Sequence, residues 1–227
     1  MHIIFNYPKR KIMKKSILAI AFIALSTLAC KTDKKKVITE KAVKEIKKVE
    51  DPISSYKASI SESTITWKGF KPLESHNGTI KILKGIFDIQ DGILKAGEFT
   101  VDMNSINCLD LEAGKGKAKL EGHLKNADFF DVKNFPTAKF AVTGSEIKGT
   151  KNLITGNFTL RGETKSITIP VTITEDEAGN ATFKSDIFSI DRTEFGVTYK
   201  SKKIDAALKD KFIKDLIEIS FDIKAKK

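Results

Sequence analysis

Few side chains of this 227-residue chain could do chemistry. After the first 29 residues there are two histidines, His76 and His123, and beside Cys30 a single further cysteine, Cys108. His123, Asp128 and Asp131 are of types that bind a divalent ion, and His123 with Asp128 could act as a general-base pair. Both constellations are incomplete. A general base needs a nucleophile or a metal to act through, and the chain has no Gly-x-Ser-x-Gly elbow, no Gly-rich phosphate loop after a strand and no paired-cysteine ligand set. The simpler reading makes His123 a helix residue and has Asp128 and Asp131 flank a turn and accept from its backbone donors. Cys108 alone excludes a disulfide within the domain and reads as a small buried hydrophobe. No catalytic residue, metal or cofactor is expected, and a hydrolase is the remotest alternative.

What stands out instead is aromatic. Phe129 and Phe130 lie side by side between the two aspartates, at the end of an expected helix, and two adjacent rings do not easily face the same way. At least one therefore plugs the core or a cavity mouth. Trp67, Phe99, Phe140, Phe158 and Phe221 lie on the apolar faces of alternating segments. These seven residues are the candidates for lining an apolar interior, and ordinary core packing is the alternative for each.

The segments that would carry them have a period of two. Phe99, Val101 and Met103 alternate with Thr100, Asp102 and Asn104; Ile217, Ile219, Phe221 and Ile223 alternate with Glu218, Ser220, Asp222 and Lys224. Similar runs occur at residues 64–69, 79–87, 137–143, 153–160, 167–173 and 181–190, separated by turns containing Gly or Asn. Such alternation means antiparallel strands with one dry face. About eight of them close a barrel that just holds side chains or one small ligand, although a sandwich has the same periodicity. Residues 111–126 and 203–215 read as two short helices, the first weakened at its start by Gly114 and Gly116.

The charge has to be read by segment. The chain carries 40 Lys plus Arg against 29 Asp plus Glu, but residues 56–227 hold 27 cations and 24 anions, only +3. The basic excess belongs to the front of the chain, which argues against a nucleic-acid partner. Lys14 and Lys15 precede an uncharged apolar run at residues 17–25 that is too short to span a bilayer but has the length of a signal-peptide core. Residues 1–29 therefore read as a leader, with Met13 an alternative start. Ala29-Cys30 at its end resembles a bacterial lipobox, although Thr27 stands where Leu is usual; Cys30 would then be acylated and begin the mature chain. Lys31 is not the Asp that commonly retains such proteins in the inner membrane, so the periplasmic face of an outer membrane is favoured. Residues 30–55 form a Lys-rich tether, either a solvated spacer or a basic helix on anionic lipid, and residues 56–227 form one β domain.

Residues Leu120-Glu121-Gly122-His123-Leu124-Lys125-Asn126-Ala127-Asp128-Phe129-Phe130-Asp131-Val132-Lys133-Asn134-Phe135-Pro136-Thr137-Ala138-Lys139-Phe140 closely resemble the signature of the YceI-like family of lipid- or polyisoprenoid-binding domains. Ile154-Thr155-Gly156-Asn157-Phe158-Thr159-Leu160-Arg161-Gly162-Glu163-Thr164-Lys165, then Ile190-Asp191-Arg192-Thr193-Glu194-Phe195-Gly196, and a closing strand at 217–224 follow in the family's order. The resemblance spans residues 58–227. It implies a lipocalin-like antiparallel barrel whose apolar channel holds an isoprenoid chain, as in a quinone or polyprenyl phosphate, and it implies no enzymatic mechanism. The first strand departs from the family pattern: members often begin His-Ser-x-apolar-x-Phe, and here Glu62, Ser63, Ile65 and Trp67 stand at those positions. That departure leaves the head group open. The expected function is a lipid-anchored carrier, monomeric or homodimeric; the alternative is an envelope stress or interaction protein whose barrel is filled by its own side chains.

Overall fold

The computed structural model describes residues 54–227 together with the backbone of a two-residue strand, β1 (Glu40–Lys41). The leader, Cys30 and the rest of the tether lie outside the described residues. Ten further strands follow: β2 (Ser54–Ala58), β3 (Thr64–Phe70), β4 (Ser75–Gln90), β5 (Ile93–Cys108), β6 (Thr137–Lys148), β7 (Lys151–Leu160), β8 (Glu163–Glu175), β9 (Ala181–Ser185), β10 (Phe188–Asp191) and β11 (Leu216–Lys226). One α-helix, α1 (Lys117–Lys125), lies between β5 and β6.

All strand pairs are antiparallel, and eight strands close a ring in the order β3-β4-β5-β6-β7-β8-β9-β11 and back to β3. The alternation has its expected consequence: inward positions such as Ile167, Ile169 and Val171 on β8 are buried, and their neighbours face water. Closure removes the free sheet edges that an open sheet of these lengths would expose. Tight hairpins make the corners; at Asp91-Gly92 and Arg161-Gly162 both turn residues have positive φ, the geometry of a two-residue turn that follows the strand twist.

Three expectations need correction. Residues 203–215 are not a helix: only Ala206–Leu208 forms a single 3-10 turn, capped by the Asp205 carboxylate, which accepts from the Ala207 N–H at 2.9 Å. The apolar stripe expected there, Ile204, Leu208, Phe212 and Leu216, does not act as one face: Ile204 is 66% exposed and Leu216 opens β11, whereas Ile213, which is not on the stripe, is the residue that reaches the barrel interior. The run at 181–190 is two strands rather than one: β9 pairs with β8 and β11, whereas β10 pairs with another stretch of β11. β2 lies upstream of the first segment recognised by alternation and pairs with β4 and β11 at one end of the barrel. The first helix does form within 111–126, and it begins only after Gly114 and Gly116, both at positive φ.

Candidate functional site

Trp67, Phe99, Phe129, Phe130, Phe140, Phe158 and Phe221 all line one cavity of about 140 Å³ inside the barrel. The strands bring five of them there by parity: Trp67 from β3, Phe99 from β5, Phe140 from β6, Phe158 from β7 and Phe221 from β11. Val101 and Met103, two and four residues beyond Phe99, line it too. Phe129 and Phe130 come from the turn after α1 and meet edge to face at 4.9 Å; Phe129 is 4% exposed and Phe130 half-buried. Both thus face the interior, tilted against each other rather than divided between inside and outside.

Two glycines make room for this aromatic lining. A Cβ on Gly78 of β4 would lie 2.6 Å from the Trp67 ring, and one on Gly156 of β7 would lie 2.4 Å from the Phe140 ring. Trp67 also donates its indole N–H to the Thr79 carbonyl at 3.2 Å, so its polar edge is satisfied while its face remains in the cavity wall. Deeper in, Phe99 lies 5.6 Å from Phe140 and 6.0 Å from Phe221, ring centre to ring centre. These three residues also line a second void of about 20 Å³ near Phe87 and Phe183, and so form a waist between the two spaces.

At its other end the cavity adjoins an open groove of about 590 Å³, with Trp67, Gly69, Leu124, Phe129 and Ile213 common to both. The cavity wall is apolar, whereas the groove mixes apolar side chains with polar and charged ones. Lys71, Lys119, Lys200, His76, His123 and Tyr199 lie along it. His76 Nδ1 is 2.8 Å from Asp110, whose carboxylate also accepts the Asn77 N–H at 2.8 Å and the Cys108 thiol at 3.2 Å. Burial raises the affinity of Asp110 for a proton, but these donors outweigh it and hold the group down at about 2. Burial together with Asp110 pushes the Cys108 thiol up, which makes it a poor nucleophile. His123 stacks edge to face on Tyr199 at 4.7 Å and on Phe129 at 5.6 Å, with Nδ1 3.8 Å from Asp128. Asp131 instead accepts from the Asn134 amide, so His123, Asp128 and Asp131 do not converge on a common point. Lys119 and Lys200 have no carboxylate partner among the described residues.

Among the cavity residues that the sequence reading did not single out are Phe188 and Arg192. Arg192 has no exposed surface, and its guanidinium lies 5.6 Å from the Phe129 ring centre. It donates to the carbonyls of Val197 (2.7 Å), Ile213 (3.0 Å) and Lys214 (3.2 Å) and to the Asp215 carboxylate (3.3 Å). The preceding Asp191, 1% exposed, accepts from Thr193 and from the Lys203 ammonium. Burial alone would raise the pKa of Asp191, but Lys203 and Thr193 reverse this and hold it below the usual carboxylate range. The two residues thus fasten segment 192–215 over one side of the cavity mouth. In the sequence Arg192 stands out only as part of the motif at residues 190–196 that resembles the family, with no role attached to it.

A second arginine explains why distant motifs occur together. Arg161, in the β7–β8 turn, donates to the carbonyls of Gly196 at 2.6 Å and Ala127 at 2.8 Å. One guanidinium joins the turn that carries Phe129 and Phe130 to the hairpin and to the 3-10 turn at Arg192–Phe195. Glu62 and Ser63, where the first strand departs from the family pattern, are remote from this mouth: Ser63 Oγ accepts the Lys224 N–H at 3.1 Å and Glu62 pairs with Lys226, at the opposite end of β11.

An eight-strand antiparallel ring around an aromatic-walled apolar cavity, which adjoins a groove carrying lysines, defines a small closed β-barrel. Residues 56–225 match the YceI-like domain, and the chain belongs to that family. It is 34% identical over 97 residues to a UPF0312 protein of Pseudomonas putida strain W619, covering 42% of this chain and 48% of the relative. It is 35% identical over 92 residues to protein YceI of Salmonella arizonae, covering 40% and 46%. The matched stretch thus spans about half the length of these curated relatives. Among solved structures, BcnA of Burkholderia cenocepacia superposes with a TM-score of 0.59 at 21% identity, over 74% of this chain and 99% of that one. A polyisoprenoid binding domain from Saccharophagus degradans, implicated in plant cell wall breakdown, superposes with a TM-score of 0.54 at 13% identity, over 75% and 97%.

Proposed function

We propose that the chain is a lipid-anchored binding or carrier protein of the cell envelope that holds an isoprenoid-type lipid, a quinone or a polyprenyl phosphate, in the barrel cavity. The observation that carries this is the cavity itself. Well-packed interiors leave few voids larger than a water molecule, whereas here eight aromatic side chains, the seven named above and Phe188, surround about 140 Å³ of apolar space. Each Å² of apolar lipid surface buried in such a space contributes about 25 cal/mol, opposed by the ordering of the flexible chain. A dry apolar cavity of about 150 Å³ accepts a molecule the size of benzene, so the space takes the first length of an isoprenoid tail as it stands. A longer tail has room in the adjoining groove of about 590 Å³, whereas the void beyond Phe99, Phe140 and Phe221 is only about 20 Å³. The two lysines of the groove that have no carboxylate partner among the described residues, Lys119 and Lys200, favour an anionic head group. The polyisoprenoid-binding description of the Saccharophagus relative supports the same reading.

Anchoring through acylated Cys30, with the domain facing the periplasm from the outer membrane, follows from the leader and lipobox-like sequence. Native mass spectrometry of the chain purified from envelopes tests the ligand: a co-purifying lipid of isoprenoid mass is expected, and its consistent absence overturns the proposal. Detergent partitioning tests the anchor. Cys30→Ser should abolish partitioning and remove the acyl mass; an unchanged mass and unchanged membrane association would refute acylation.

A further inference from the structure

The rim of the groove is where the domain concentrates its positive charge. Three segments ring the opening: residues 68–77, which include the β3–β4 hairpin; residues 109–125, which lead into and form α1; and residues 198–215. Together they hold twelve lysines and seven carboxylates, +5, while the rest of residues 56–227 holds fifteen cations and seventeen acids, −2. Main-chain bonds hold the segments in one rim: Lys214 N–H to Phe70 O at 2.8 Å, Leu109 N–H to Asn77 O at 2.9 Å, and Ile213 N–H to Lys200 O at 2.9 Å.

The two signs of charge are used differently. Asp110, Glu121, Asp205 and Asp215 accept hydrogen bonds from the fold itself. Only Lys71, Lys115, Lys117 and Lys203 pair with a carboxylate, which leaves the other eight rim lysines without one among the described residues. Each segment also presents an aliphatic side chain to solvent: Leu73 at the hairpin tip is 96% exposed, Leu109 58% and Ile204 66%. Single exposed aliphatics are ordinary, and Ile147 and Ile187 elsewhere on the domain are about as exposed as Leu109; what marks this face is that its three surround one opening, among lysines that have no carboxylate partner among the described residues. Nucleic acid would call for exposed stacking aromatics. Aliphatic tips with lysines around them suit the boundary between head groups and acyl chains.

We infer that this face docks on an anionic lipid bilayer, with Leu73, Leu109 and Ile204 entering the head-group boundary and the barrel mouth turned toward the membrane. The surface argument stands on charge and exposure; its purpose, loading a water-insoluble ligand without exposing it to water, rests on the lipid-carrier reading.

The test uses the full chain with Cys30→Ser, so that no acyl group confuses binding, and an environment-sensitive label at Leu73→Cys or, in the β8–β9 turn at the opposite end, at Glu177→Cys. Vesicles of phosphatidylcholine are compared with vesicles that also contain phosphatidylglycerol. Docking predicts that the Leu73 label enters an apolar environment only with phosphatidylglycerol, that salt reverses this and that the Glu177 label does not respond. The triple variant Lys202→Glu, Lys209→Glu and Lys211→Glu should weaken partitioning by roughly tenfold or more. Equal response at both labels, response at neither, or indifference to the charge reversal overturns the inference. Native mass spectrometry of the same preparations separates it from the carrier reading. A chain that retains lipid but leaves the Leu73 label unmoved overturns docking alone, and one that docks while empty supports docking and overturns the carrier reading.

Discussion

Phe183 and Phe130 show what separates a core aromatic from one that lines the site. Phe183 is 2% exposed and lies 4.4 Å from Phe87, ring centre to ring centre, beyond the waist. Truncating it to Ala should cost about 3 to 5 kcal/mol in urea unfolding, as for other buried aromatics. Phe130 is only half-buried and borders existing empty space, so Phe130→Ala should cost well under that in the lipid-free protein and chiefly lower the amount of co-purified lipid. Equal losses of stability at the two positions, with no change in lipid, would show that the interior acts as a solid core. The acid limit is also set by individual residues. Asp191 is held below its ordinary pKa, and a carboxyl of that kind stabilises the fold fully above its unfolded value, near pH 4, and loses that contribution as pH falls through the folded value. Segment 192–215 should therefore become protease-sensitive as the pH drops below about 4. Asp191→Asn should already be loosened at neutral pH and show a smaller acid step.

Elements differed in how legible they were from sequence. The alternating runs could be read because a strand with one dry face writes its burial into every second residue, and the same parity brought Trp67, Phe99, Phe140, Phe158 and Phe221 to one wall. Segment 192–215 could not be read in this way. Its spacing of Ile204, Leu208, Phe212 and Leu216 imitates a helical stripe, but Arg192 pins the two ends of the segment by binding the carbonyls of Val197, Ile213 and Lys214. No local pattern records such a long-range claim on the backbone. Arg192→Met should leave those carbonyls and Asp215 without their donor and cost about 3 to 5 kcal/mol, as when one partner of a buried pair is removed. Hydrogen exchange should quicken across residues 197–215 more than in β5 or β6. Uniform quickening would mean that the arginine supports the whole barrel rather than this strap.

For the molecule as a whole, the cavity and the fold can be separated by experiment. Val101 lines the cavity on the same side of β5 as Phe99, so Val101→Trp should fill the space and expel lipid while the β-type circular dichroism spectrum remains. If lipid is retained, it lies elsewhere. The ring also has a consequence for how the chain comes to be folded. β11 pairs with β2, β3, β9 and β10, so four strands wait for residues 216–226 before they have their full set of partners. Contacts of such long sequence separation fold slowly. While the chain is still being synthesised, β3 and β9 present unpaired edges that can template aggregation. The barrel therefore closes only once β11 is available, and until then its edges stay open to strands of other chains.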